Sequence, residues 1–178
     1  MVLTNNKNIA DLCRSMVNQG RKVDGNKWLE HVRLGYNYRL NEMSAVLGLS
    51  QLKRTKEVIR KREKIVKLYN QKLKNITEVE APSPAKSISW FVYVIKLKGK
   101  ACKKRDEIVS RMAERGIQCG SYFYPIHLQP FLKKEFKKSK LPITEDVGKR
   151  TLALPFYNQI TKKEIEFVVD SLKKILND

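Results

Sequence analysis

The chain has 178 residues, is 42% hydrophobic and carries a net charge of +19, enough apolar material for one large domain or one domain with an appendage. Its longest apolar runs, Phe91 to Ile95 and Leu152 to Phe156, fall far short of a bilayer span, and "MVLTNNKNIADL" lacks a basic stretch followed by an apolar one. That sets aside a membrane span and an export signal, and leaves a soluble, cytoplasmic protein as the expectation.

Met1 to Thr4 reads as a short strand, and Lys7 to Asn18 as a helix with Ile9, Leu12, Cys13 and Met16 on one face. Gly20 to Lys27 is a polar, glycine-containing loop. Asn41 suits the N-cap of a helix through Met43, Val46, Leu47, Leu49 and Leu52, with Glu42 favoured by the dipole of its first turn. A second helix continues to about Lys74. "APSPAKS", residues 81–87, is the clearest linker. After it, "ISWFVYVIKL" is apolar at both alternating sets of positions, which predicts a central strand covered on both sides. Lys104 to Arg115 predicts a helix closed by Gly116, followed by a strand "IQCGSYFY". The turn-rich "YPIHLQP", a helix from about Pro142 to Arg150, the segment "TLALPFYN" and a final helix capped by Thr161 complete the chain. Strands alternating with helices give an α/β or α+β body.

The positive charge is unevenly spread. Residues 53–74 hold ten Lys and Arg against Glu57 and Glu63, and "LKKEFKKSK", residues 132–140, holds five Lys against one Glu. Such clusters suit a phosphate backbone, but Val58, Ile65, Leu68, Tyr69 and Leu73 recur at helical spacing through the first. Its cations are therefore read as the solvated back of an amphipathic helix, and nucleic acid as an unlikely partner. Cys13, Cys102 and Cys119 are widely spaced and form no CxxC or zinc pattern, so they are read as small apolar residues. No GxGxxG, Walker A, HExxH or GxSxG motif occurs.

Four segments, "LGYNYRLNEMSAVLGLSQLKR", "ISWFVYVIKL", "RMAERGIQCGSYFYPIHLQPF" and "TLALPFYNQIT", stand in the order and at about the spacing of the C-terminal half of the DegT/DnrJ/StrS-type sugar aminotransferases. The chain resembles that family from Met1 to the last helix. The resemblance implies the aspartate-aminotransferase fold and a homodimer. It also implies pyridoxal 5'-phosphate as cofactor and amination of a keto group on a nucleotide-linked sugar, with glutamate the usual donor. Three regions are expected: residues 1–34 as a remnant of the large cofactor-binding domain, residues 35–80 as a long helical connection, and residues 81–178 as the α/β, α+β-like small domain. The family's cofactor-bearing lysine precedes a strand similar to "MVLTNN", so the chain is expected to lack that lysine and to be inactive alone. Its partner would be the N-terminal half of the enzyme or a full-length paralogue. Ile9, Leu12 and Met16 would then lose part of their cover and favour self-association.

By resemblance, Asn37 and Arg39 of "GYNYR" bind the phosphate of a cofactor held by another subunit, since an amide N–H and a guanidinium both donate to a dianion. Asn37 and Tyr38 also suit a turn ahead of the Asn41 cap. His127 resembles a position near the sugar-nucleotide pocket, though a histidine in such a loop also suits packing; Tyr122 and Tyr124 are read as lining the same pocket or as strand core, and His31 as structural or substrate-adjacent. The other reading is a non-catalytic remnant or binding module with a basic surface.

Overall fold

A computed structural model describes residues 2–23, 30–83, 88–132, 134–136 and 139–178. Residues 24–27 of the polar loop, 84–87 of the linker and 133, 137 and 138 of the lysine cluster lie outside the described residues. The chain divides into two compact units, Met1–Arg54 and Thr55–Asp178.

The first unit holds helices α1 (Lys7–Val17) and α2 (Glu42–Lys53). Each begins on an asparagine that satisfies helix N–H groups left open by the missing turn. Asn6 Oδ1 accepts from the Asn8 and Ile9 amides at 2.9 and 3.3 Å, and Asn41 Oδ1 accepts from the Ser44 amide at 2.9 Å. Ile9 and Leu12 of α1 are exposed, while Ser15 is buried. On α2 no residue is buried, and Met43, Val46, Leu47, Leu49 and Leu52 all face solvent. The strand expected at residues 1–4 is absent at Val2–Thr4. A strand exists only through its ladder, and no neighbouring strand pairs with this stretch among the described residues.

The second unit packs helices α3 (Thr55–Leu73), α4 (Arg105–Glu114), α5 (Pro142–Arg150) and α6 (Lys162–Asn177) around strands β1 (Val79–Glu80), β2 (Tyr93–Leu97) and β3 (Thr151–Leu154). The sheet is antiparallel in the order β1-β2-β3, with Val79 opposite Leu97, Ile95 opposite Leu152 and Tyr93 opposite Leu154. Along β2, Tyr93, Ile95 and Leu97 are buried and meet Tyr69, Leu73, Ile108, Met112, Ile165 and Leu172 in one core. The expected cover on both sides of β2 is incomplete: Val94 and Lys96 are only half-buried, because Lys96 pairs across the ladder with Glu80. Strand structure starts at Tyr93 rather than Ile88.

Local chemistry explains the helix ends. A 3₁₀ turn (Gly99–Lys104) leads into α4, and Gly116 stops that helix at φ +74°, a left-handed conformation that suits glycine. Thr161 and Glu164 form a reciprocal capping box at α6. On α3, buried Ile65, Val66, Tyr69 and Leu73 oppose exposed Arg60, Lys61, Lys64 and Lys67, so the basic cluster is the solvated face of an amphipathic helix. The strand expected over residues 117–124 reduces to a bridge between Gly120 and Ala153. Beyond it the Tyr122 carbonyl turns to the Thr151 hydroxyl, and Pro125 has no N–H to extend a ladder. No helix among the described residues is long and apolar enough to cross a membrane.

Candidate functional site

In the first unit, the segment carrying Asn37 and Arg39 is clasped to the end of α1 by backbone bonds. The Tyr36 and Tyr38 amides donate to the Met16 and Val17 carbonyls at 2.6 and 3.0 Å. In return the Gln19 amide donates to the Tyr36 carbonyl at 2.8 Å, and the Val32 amide to the Gly20 carbonyl at 2.9 Å. The buried Ser15 hydroxyl closes the same turn by donating to the Arg21 carbonyl at 2.5 Å.

Two glycines make this close approach possible. A Cβ on Gly35 would stand 2.0 Å from the Gly20 nitrogen, and one on Gly20 would stand 1.8 Å from the Arg33 carbonyl oxygen. Gly20 also sits at φ +76°, where a side chain is strained. The glycine of "GYNYR" is therefore required by backbone contact with residues 19 and 20.

The clasp presents a donor pair. Arg39 Nε donates to Asn37 Oδ1 at 2.9 Å, which fixes the amide so that its NH₂ is the free end. That NH₂ and the two terminal nitrogens of Arg39 have no partner among the described residues, and both side chains are exposed. Tyr36 and Tyr38 stack alongside, with centroids 5.0 Å apart and planes at 6°. His31 Nδ1 lies 2.7 Å from the Gln19 carbonyl oxygen; a carbonyl only accepts, so Nδ1 carries the proton. His31 is thus tied to the same turn as Asn37. A cleft of about 360 Å³ beside it is lined by Asn8, Asp11, Leu12, Lys22, Val23, Val32 and Arg33.

The other three predicted residues belong to the second unit. Tyr124 is 58% exposed, and Tyr122 is half-buried between Phe91 and Phe123. His127 is 6% exposed, and its Nε2 lies 3.1 Å from Glu145 Oε1, which also accepts from the Leu141 amide at 3.2 Å. The His127 hydrogen bond, then the Leu141 amide, hold the Glu145 carboxyl below its ordinary range. Because the folded value is depressed, this contact stabilises above the ordinary carboxylate range and is lost as pH falls through the folded value. The melting temperature of Glu145→Gln is expected to lie below that of the unaltered chain near neutral pH, with the gap closing below about pH 4. A gap that stays constant on acidification would contradict the contact.

Gly20, Gly35, Glu145 and Phe123 were not singled out from sequence, and Phe91, read with Trp90 as core from the sequence, is 69% exposed. Gly35 stood inside the quoted motif and was the one visible signal. Burial pushes the Cys119 thiol up to about 11, in line with an unreactive apolar role. Among the described residues no group of His, Cys, Asp or Glu could hold a metal ion.

The profile of the DegT/DnrJ/EryC1/StrS aminotransferase family matches residues 1–173. The chain belongs to this family. GDP-perosamine synthase of Escherichia coli O157:H7 is 27% identical over 178 residues, covering 100% of this chain and 47% of the relative. Among solved structures, Helicobacter pylori PseC, an aminotransferase involved in the biosynthesis of pseudoaminic acid, superposes with a TM-score of 0.90 at 23% identity, over 98% of this chain and 47% of that one. NtdA of Bacillus subtilis, solved with bound cofactor PMP, gives a TM-score of 0.84 at 22% identity, over 98% and 41%. The chain spans about half the length of the curated relatives it matches, in accord with the C-terminal part to which the four motifs point. The fold is that of the family's aminotransferases.

For a family whose cofactor carries a phosphate, the donor set can be tested. Asn37 and Arg39 turn N–H groups outward, the amide being oriented by the bond that Arg39 Nε makes to Asn37 Oδ1. An amide NH₂ and a guanidinium on an exposed segment fit a phosphate dianion. The lysines are a different matter. No described lysine is buried, and the half-buried Lys72 and Lys96 are paired with Glu166 and Glu80.

Proposed function

We propose that the chain is the C-terminal portion of a pyridoxal-phosphate-dependent aminotransferase that aminates a keto group on a nucleotide-linked sugar. In this reading it completes a site whose cofactor-bearing lysine is supplied by another polypeptide, either the N-terminal half of the enzyme or a full-length paralogue. The single observation that carries the reading is the Asn37–Arg39 pair on the glycine clasp, with the amide NH₂ and the terminal guanidinium nitrogens turned outward. Pyridoxal phosphate, when bound, supplies an electron sink for moving a proton at the amino-bearing carbon. Asn37 and Arg39 hold its phosphate from the neighbouring chain, Tyr36 and Tyr38 stiffen the segment by stacking, and His31 anchors it to Gln19. The exposed apolar α2 supports self-association or association with that polypeptide. The GDP-linked sugar in the name of one relative supports the substrate class.

The test is an amination assay on a nucleotide-linked keto sugar with glutamate, after mixing the chain with the complementary polypeptide. Amino-sugar product is expected only in the mixture. In the mixture, Asn37→Ala is expected to weaken cofactor binding about tenfold, measured by absorbance titration with pyridoxal phosphate. Asn37→Asp should weaken it further, because it sets a carboxylate against the phosphate. Unchanged cofactor affinity in both variants would overturn the assignment of Asn37.

A further inference from the structure

A cleft of about 420 Å³ opens in the second unit where the pairing between β3 and the segment after α4 ends. Gly120 and Ala153 exchange backbone bonds of 3.1 and 2.8 Å, but two residues beyond Ala153 stands Pro155, which has no N–H to continue the ladder. The two chain segments part there. The floor of the cleft is apolar, since Ile117, Ile160 and Val168 line it and are buried. Its aromatic walls are open: Tyr157 is 46% exposed and Phe167 55%.

Neither ring is there to fill the core. Phe167 stands on the side of α6 that carries exposed Lys163, Asp170 and Lys174, where a large apolar ring gains the fold little. Tyr157 is held in place from both ends, because its hydroxyl donates to Glu164 Oε1 at 3.0 Å and its carbonyl accepts from the Ile160 amide at 3.1 Å. Gly116 closes the cleft at the end of α4, and a Cβ there would meet no atom within 4 Å. The cleft is therefore preorganised, and ordering it costs a ligand little.

Glu164 brings the charge. Its carboxylate accepts from neutral donors alone: the Tyr157 hydroxyl on Oε1, and the Thr161 amide and hydroxyl on Oε2 at 2.6 and 2.7 Å. The Thr161 amide, then its hydroxyl, then Tyr157 hold the carboxyl below its ordinary range, so it is ionised near neutral pH. No cation among the described residues pairs with it, although Lys162 and Lys163 precede it on the same helix. The capping box accounts for Oε2, whereas Oε1 has a single donor and room for a second.

These groups select a ligand class. An aromatic face attracts a cation, and a carboxylate pairs with one. An anion would meet Glu164, and a neutral apolar molecule would leave its charge unused. We propose that the cleft binds a small organic cation, an ammonium group on a short apolar body, with Glu164 taking the charge and Tyr157 and Phe167 flanking it over the apolar floor. The proposal does not depend on the aminotransferase reading.

Titration of the isotope-labelled full chain with butylammonium, butanol and butyrate tests it, read by NMR at the Gly116, Ile117 and Gln118 amides, with folding of each variant checked by circular dichroism. Butylammonium is expected to shift these amides and to saturate in the millimolar range, butanol to bind about tenfold more weakly, and butyrate more weakly still. Glu164→Gln keeps a residue that serves in a capping box, and is expected to weaken butylammonium binding about tenfold and to erase its advantage over butanol. Phe167→Ala, which leaves the carboxylate in place, should weaken butylammonium to a smaller extent. No saturable shift of these amides in the millimolar range would overturn the site. Equal affinity for butylammonium and butanol in the unaltered chain, or unchanged butylammonium affinity in Glu164→Gln, would overturn the assignment of a cation to it.

Discussion

Gly35→Ala is expected to detach residues 31–40 from α1 and to lower the stability of the first unit by about 4 kcal/mol. The added methyl would sit 2.0 Å from the Gly20 nitrogen and 2.7 Å from its Cα, and both are backbone atoms that no side-chain rotation can move aside. The chain has to part there, and the bonds from Tyr36 and Tyr38 to Met16 and Val17 go with it. Hydrogen exchange gives the direct readout, because the Tyr36 and Tyr38 amides should lose protection while amides of the second unit keep theirs. If the reading of Asn37 and Arg39 holds, cofactor binding in the mixed sample falls with them. Retained protection at Tyr36 and Tyr38 would show that the segment does not need the close approach.

The second large effect belongs to the core. Tyr93 is fully buried on the central strand, its ring is stacked 4.6 Å from that of Tyr69, and its hydroxyl donates to Asn70 Oδ1 at 2.5 Å. Tyr93→Ala would leave a ring-sized cavity and a half-buried amide oxygen without its donor, and should lower stability by about 4 kcal/mol. Tyr93→Phe keeps the packing and loses only the hydrogen bond, for about 1 kcal/mol. Urea denaturation followed by circular dichroism measures both. Equal losses in the two variants would mean that the hydroxyl, not the ring, carries the contribution.

Features set by a few adjacent residues were legible in the sequence. Asn41 and Thr161 cap their helices, α5 starts at Pro142, and Gly116 stops α4, because each is decided by the dihedral preferences and donors of its own turn. The amphipathic α3 was legible for a similar reason, since a period of 3.6 needs no knowledge of what packs on it. Strand extents were not. "IQCGSYFY" and "ISWFVYVIKL" both have the composition of strands, yet ladder partners admit only Gly120 of the first and Tyr93–Leu97 of the second. Pairing is a property of two segments, and the partner of both lies at Thr151–Leu154.

The candidate site divides along the same line. The family resemblance pointed Asn37 and Arg39 to a phosphate, where the local residues alone suited a turn, and the bond that turns the amide outward is visible only in three dimensions. The need for Gly35 could not be read locally, because its contact is with Gly20, fifteen positions away along the chain. His127 was visible as a histidine in a proline-containing loop, whereas its partner Glu145 lies on a separate helix. Phe91 read as core from its place in an apolar run, and the structure leaves it in solvent beside Tyr122.

The most direct measurement treats the chain, alone and mixed with the complementary polypeptide, with pyridoxal phosphate and borohydride, and then determines the intact mass of each component. The account predicts a single-site adduct on the other polypeptide and none on this chain, with less of that adduct when Asn37→Ala replaces the unaltered chain at limiting cofactor. A single-site adduct on the chain alone would mean that one of its own lysines bears the cofactor, and would contradict the assignment of Asn37 and Arg39 to a site completed by a second polypeptide.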